Sequence, residues 1–82
     1  DNVAALLYPN PAFDKLHLQV TDYECSGAEV FIYDLSGCLV RAITMEEGVT
    51  FFDVSELQSG IYFVRILCDQ RVETGTFVIG HR

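Results

Sequence analysis

Between Leu16 and Thr21 the chain alternates apolar Leu16, Leu18 and Val20 with polar His17, Gln19 and Thr21. A period of two places one set of side chains on each face of a strand, so this stretch predicts a half-buried β-strand. The same reading extends along the sequence. An apolar segment, Val3 to Tyr8, comes first and is broken by Pro9 and Pro11, which cannot donate to a sheet ladder. Ala28 to Asp34, Leu39 to Met45 and Val49 to Val54 are rich in β-branched and aromatic residues and predict the third to fifth strands. Ile61 to Cys68 and Arg71 to Ile79 complete the set, joined by a two-residue turn at Asp69-Gln70. Turn chemistry separates the others: Leu35-Ser36-Gly37, Glu46-Glu47-Gly48 and the polar connection from Ser55 to Gly60.

No segment carries a helical period. Ser55-Glu56-Leu57-Gln58 has room for a single helical turn, which Gly60 would end. Short strands at intervals of about ten residues, with turns between them, predict an all-β fold. Its form is a compact seven-stranded immunoglobulin-like antiparallel β-sandwich. Leu16, Leu18, Val30, Ile32, Tyr62, Val64, Ile66 and Phe77 are its expected core. The 82 residues hold one domain, residues 3–82, with Asp1-Asn2 read as the end of a linker. No apolar run approaches a membrane span. No secretory signal opens the sequence, so a chain bearing this segment is expected to need such a signal upstream.

Composition removes several function classes. Twelve acids against five bases give a net charge of −7, and the bases are scattered, which argues against nucleic acid. His17 and His81 are the only histidines, and the serines at 26, 36, 55 and 59 fall at turns, where local hydrogen bonding accounts for them. There is no phosphate loop, no Cys-x-x-Cys and no closely spaced Asp and Asn set for calcium. The reading is therefore no catalytic residue, no metal ligand and no cofactor.

Cys25, Cys38 and Cys68 are either small buried hydrophobes or one disulfide plus one thiol. Strand alternation constrains the second case. Cys25 follows the second strand and Cys68 ends the sixth, so both fall at one end of the sandwich. Cys38 follows the third strand and falls at the other end, a strand length of roughly 20 Å away. A disulfide tolerates Cα atoms up to ~7 Å apart, so any bridge is expected to be Cys25–Cys68, with Cys38 free.

Four segments, in order, resemble the C-terminal sorting domains of the type IX secretion system. Tyr8-Pro9-Asn10-Pro11 is similar to their opening. Val30 to Gly37, with Tyr33, Asp34 and Gly37, resembles their central hairpin. Asp53 to Arg65, with Leu57, Gly60, Tyr62 and Val64, resembles their longest signature. Phe77, Val78 and Ile79 occupy the place of the terminal strand, where Thr76 stands in place of the Lys that many members carry. Arg82 is the basic residue at the end. The resemblance implies a signal domain that directs a cargo across the outer membrane of Bacteroidetes-type bacteria. It also implies transit through the periplasm, recognition by an outer-membrane translocon and removal by a sortase-like peptidase. The cargo would be the N-terminal domains of the same polypeptide, left at the cell surface or released. The terminal strand is the expected export determinant, through an edge offered at Phe77, Val78 and Ile79. The alternative is an adhesive or carbohydrate-binding sandwich. That would spread exposed aromatics into a platform, with Phe13, Tyr23, Phe31 and Phe63 as candidates. A plain immunoglobulin-like spacer is the third reading. On the residues alone, Leu57 covers one end of the core, Gly60 permits a sharp turn, and Tyr62 bonds its hydroxyl to nearby backbone as tyrosine corners do.

Overall fold

A computed structural model of the chain describes residues 5–9, 12–20, 27–45 and 49–80. Seven strands carry the fold: β1 (Ala5–Tyr8), β2 (Lys15–Val20), β3 (Glu29–Tyr33), β4 (Leu39–Thr44), β5 (Val49–Asp53), β6 (Gly60–Cys68) and β7 (Arg71–Ile79). They form two antiparallel sheets, one ordered β1-β2-β5 and the other β4-β3-β6-β7. No helix occurs among the described residues, as the period-two pattern predicts. The expected helical turn after β5 is a single hydrogen-bonded turn, in which the Leu57 N–H donates to the Val54 carbonyl at 3.0 Å.

The alternation read from the sequence is the alternation of burial. Along β6 the side chains of Tyr62, Val64, Ile66 and Cys68 are buried while Ile61, Phe63 and Arg65 face out. Leu16 and Leu18 of β2 meet Val30 and Ile32 of β3, with Phe77 and Ile79 of β7, in one core between the sheets. All eight residues expected in that core are buried. Leu57 packs against it from the connection, as expected. No polar or charged side chain is buried among the described residues, so apolar burial holds the sheets together.

Turn chemistry sets where strands end. Gly37 closes the β3–β4 hairpin at φ 91°, and Asp69 takes φ 58° in the two-residue turn between β6 and β7. Gly60 opens β6 at φ 153°, a conformation reserved for glycine, which lets the connection bend into the strand. A bulge at Ile32/Tyr33 shifts the β3–β4 register: Ile32 pairs with Arg41 but Tyr33 with Leu39. Residues 1–4, Asn10, Pro11, Tyr23, Cys25, the turn at 46–48, His81 and Arg82 lie outside the described residues.

Candidate recognition site

The antiparallel pairings bring one set of chain segments to one end of the sandwich. β3 finishes at Tyr33 where β6 begins, since Tyr33 pairs with Phe63. Gly60 pairs with Ile79, so β7 finishes there as well. In the other sheet Tyr8 ends β1 opposite His17, and Lys15 starts β2 opposite Asp53 at the end of β5. The resemblance to sorting domains rests on four segments, and each of them has described residues at this end: Tyr8, Tyr33 to Gly37, Asp53 to Tyr62, and Phe77 to Ile79.

Two loops at this end are built alike. In Asp34-Leu35-Ser36 the Asp34 carboxylate accepts from the Ser36 N–H at 2.9 Å and from the Ser36 hydroxyl at 2.6 Å. It also accepts from the Cys38 N–H at 3.0 Å, which holds the hairpin shut. In Asp53-Val54-Ser55 the Asp53 carboxylate accepts from the Ser55 N–H at 2.8 Å and from the Ser55 hydroxyl. Aspartates of this kind replace backbone partners where strands end. The hydrogen bond from the Ser36 hydroxyl, then that from the Cys38 amide, lowers the Asp34 pKa below its ordinary 3.8. The Ser55 hydroxyl, then its amide, does the same to Asp53. A lowered carboxylate pKa contributes stability that is present above the unfolded value and lost as pH falls through the folded one. The domain is therefore expected to weaken as pH falls below about 4. An Asp34→Asn/Asp53→Asn double variant should show a flatter acid limb in melting temperature against pH, and an unchanged limb would refute the assignment.

Tyr62 forms the corner expected of it. Its ring is buried and stacks on Phe77 at 5.7 Å between centroids, and its hydroxyl donates to the Gln58 carbonyl at 2.6 Å. That bond ties the β5–β6 connection to β6. Between the connection and the β3–β4 hairpin lies an open groove of about 300 Å³, lined by Asp34, Ser36, Gln58, Gly60, Ile61 and Tyr62 among others. The groove thus joins the central hairpin to the longest signature segment.

Ala12 closes the opposite flank of the same end. It makes a parallel bridge with Ile79: its N–H donates to the Val78 carbonyl at 2.8 Å and its carbonyl accepts from the Gly80 N–H at 2.8 Å. The Val54 N–H donates to the Asp14 carbonyl at 2.7 Å, so the segment after Pro11 links both sheets. Nothing in the sequence marks Ala12 for this role. The bridge also changes the expected edge: Phe77 and Ile79 bury their side chains, and the outer side of Val78 already carries Ala12.

On the outer face of the smaller sheet, Tyr8, His17 and Phe51 form a ladder. Tyr8 and His17 stack at 5.2 Å with planes 10° apart, His17 and Phe51 lie 5.7 Å apart at 44°, and Lys15 Nζ sits 5.2 Å over Phe51. Sequence reasoning placed His17 on a polar face but did not pair it with Phe51, because the β2–β5 register cannot be read locally. These rings pack against one another. Phe13 and Phe63 are exposed and Phe31 is half-buried; Phe31 and Phe63 lie on the outer face of the larger sheet, where Tyr33 pairs with Phe63.

Cys68 is disulfide-bonded and Cys38 is an exposed free thiol. No cluster of three or more potential metal ligands occurs among the described residues. Residues 6–80 match the family described as secretion system C-terminal sorting domain. No curated protein matches the chain. The fold superposes with a TM-score of 0.80 on part of a chain from the structural study of PorZ. That study describes PorZ as an essential bacterial surface component of the type-IX secretion system of Porphyromonas gingivalis. Identity is 18%, and the match covers 93% of this chain but 11% of that one, so the likeness speaks for the fold.

Proposed function

The chain belongs to the C-terminal sorting domains of the type IX secretion system, and from that premise we propose that the folded sandwich itself is the recognised address. A sorting signal of this family interacts with the secretion machinery and accompanies export across the outer membrane, to the cell surface or the medium. The observation that carries the proposal is the convergence of described residues from each of the four signature segments at one end, around the groove and the Ala12 bridge. A linear signal would need no such convergence, whereas a folded one presents these residues together.

In this reading the N-terminal domains of the same polypeptide are the cargo, residues 1–2 end the linker, and residues 3–82 are the signal. The cargo passes through the periplasm, the outer-membrane translocon binds the domain, and a sortase-like peptidase then removes it. The domain acts as ligand and substrate, not as catalyst. The residues assigned to the sorting motif are Tyr8, Pro9, Asn10, Pro11, Tyr33, Asp34, Gly37, Leu57, Gly60, Tyr62, Val64, Phe77, Val78, Ile79 and Arg82. Four of them act through the fold, since Tyr62, Val64, Phe77 and Ile79 are buried. We also assign the partner of Cys68 to Cys25. Support comes from the count of three cysteines and from the free thiol at Cys38.

The test is a fusion of residues 1–82 to a periplasmic reporter in a type IX-competent host. The reporter should reach the surface or the medium, and removal of residues 72–82 should retain it inside. Because that truncation also removes β7, Arg82→Ala and Val78→Lys serve as milder variants. Secretion of the truncated fusion at the parental level would refute the proposal.

A further inference from the structure

Among the described residues, no strand pairs with the outer side of β7 over Val72–Thr76, and this edge of the larger sheet has the features of a strand-acceptor lane. Of the four edge strands, β1 has 4 residues, β5 has 5 and β4 has 6 with a bulge in its pairing, whereas β7 has 9 in unbroken register with β6. Long edges without a bulge, proline or lysine invite pairing, and natural sheets usually block them. In β7 the Val78 carbonyl and the Gly80 N–H point outward, since both bond Ala12. Strand alternation therefore turns the backbone of Val72, Thr74 and Thr76 outward too, while the intervening residues face β6. Ala12 already occupies the far end of this lane in parallel orientation, so the edge accepts a partner without distortion.

A side-chain slot lies beside the lane. About 90 Å³ opens between β1 and β7, lined by Leu7, Val64, Ile66, Glu73, Thr74 and Gly75. Gly75 is not required by the fold. Its φ lies outside the left-handed region, and a Cβ there would meet Val64 Cγ1 at 3.6 Å, an ordinary contact. A glycine inside a strand weakens it, and often marks a place where another chain approaches closely. Open ladder positions and a pocket for alternate side chains are the two components of recognition by strand addition.

We propose that Val72–Thr76 of β7 accepts an extended segment of a partner protein of the export machinery, with an apolar side chain entering the slot over Gly75. Glu73, two residues along the same face, calls for a basic side chain two positions away in that segment. The net charge of −7 on each chain disfavours a second copy as the occupant. The inference rests on the sorting function proposed above and names how the partner is held.

Two variants of the reporter fusion test it. Thr74→Pro removes an outward N–H while leaving the β6–β7 ladder intact, and Gly75→Val fills the slot from within. Each should cut secretion at least tenfold, with a melting temperature within a few degrees of the parent. Parental secretion by either folded variant would overturn the proposal. Should a variant fail to fold, amide hydrogen exchange on the unaltered fusion decides. Val72 and Thr74 should exchange as unbonded amides, and protection equal to that of the β6–β7 ladder would overturn the lane. Retention of the unaltered fusion in the periplasm would instead remove the sorting function, and this inference with it.

Discussion

Tyr62→Ala is expected to destabilise the domain by about 3–5 kcal/mol, the range for truncating a large aromatic side chain in a core. The side chain is 6% exposed, stacks on Phe77 and closes the end of the core beside Leu57. At ~0.05–0.15 kcal/mol per residue, a chain of this size has roughly 4–12 kcal/mol of stability in total. The truncation therefore removes a large fraction of it. At ~4–8 °C per kcal/mol the melting temperature should fall by at least about 12 °C. Tyr62→Phe separates ring from hydroxyl. It keeps the stacking and loses the bond to the Gln58 carbonyl, and Gln58 is exposed enough for water to take over as donor. A cost of about 0.5–1.5 kcal/mol is expected for that variant. Urea unfolding of the three proteins measures both steps. A cost below ~1 kcal/mol for the alanine variant would mean that the corner does not hold the end of the sandwich.

Export should follow stability in this series only to a point. Tyr62→Phe leaves the groove lined as before, so its secretion should match the parent. Tyr62→Ala releases the β5–β6 connection and should lose secretion along with stability. Asp34→Asn is the informative contrast, because it alters the groove wall with little cost to the core.

The strands were legible where one face is buried, as in β2, β3 and β6, because burial imposes a period of two that short windows reveal. That is why Leu16, Leu18, Val30, Ile32 and the inward row of β6 could be named in advance. Gly37, Gly60 and the Tyr62 corner were legible for a related reason: turn geometry and tyrosine corners are local and residue-specific. Long-range pairing was not. Nothing near His17 says that Phe51 lies opposite, and nothing near Ala12 says that it bridges to Ile79. Both depend on sheet order, which arises from how sequentially distant strands pack. The misplaced edge has the same origin. The terminal residues of β7 look available along the sequence, but a segment some 65 residues earlier covers their outer side, which moves the open lane upstream. Strand parity alone separates Cys38 from Cys68, and the structure leaves Cys38 free and Cys68 bridged.

Reduction of the Cys68 disulfide is the second large effect expected. Removing a native disulfide from a small secreted domain costs typically 2–5 kcal/mol, chiefly because the unfolded chain regains freedom. Cys68 is buried at the end of β6, directly before the Asp69-Gln70 turn, so its bridge ties down the end of the sandwich opposite Tyr62. The domain would then be held at one end by the tyrosine corner and at the other by the bridge. The melting temperature should fall on adding a phosphine reductant, and Cys68→Ser should reproduce the fall. Cys38→Ser should change stability by less than about 0.5 kcal/mol, as surface substitutions do. Peptide mapping without reduction identifies the partner. Cys38 should be alkylated and a Cys25–Cys68 peptide recovered, whereas a linked peptide containing Cys38 would overturn the assignment. Such a bridge forms only in an oxidising compartment. The same chain kept in a reducing cytoplasm should therefore be cleaved faster by protease than the exported form, and equal rates would show that the bridge contributes little to the folded signal.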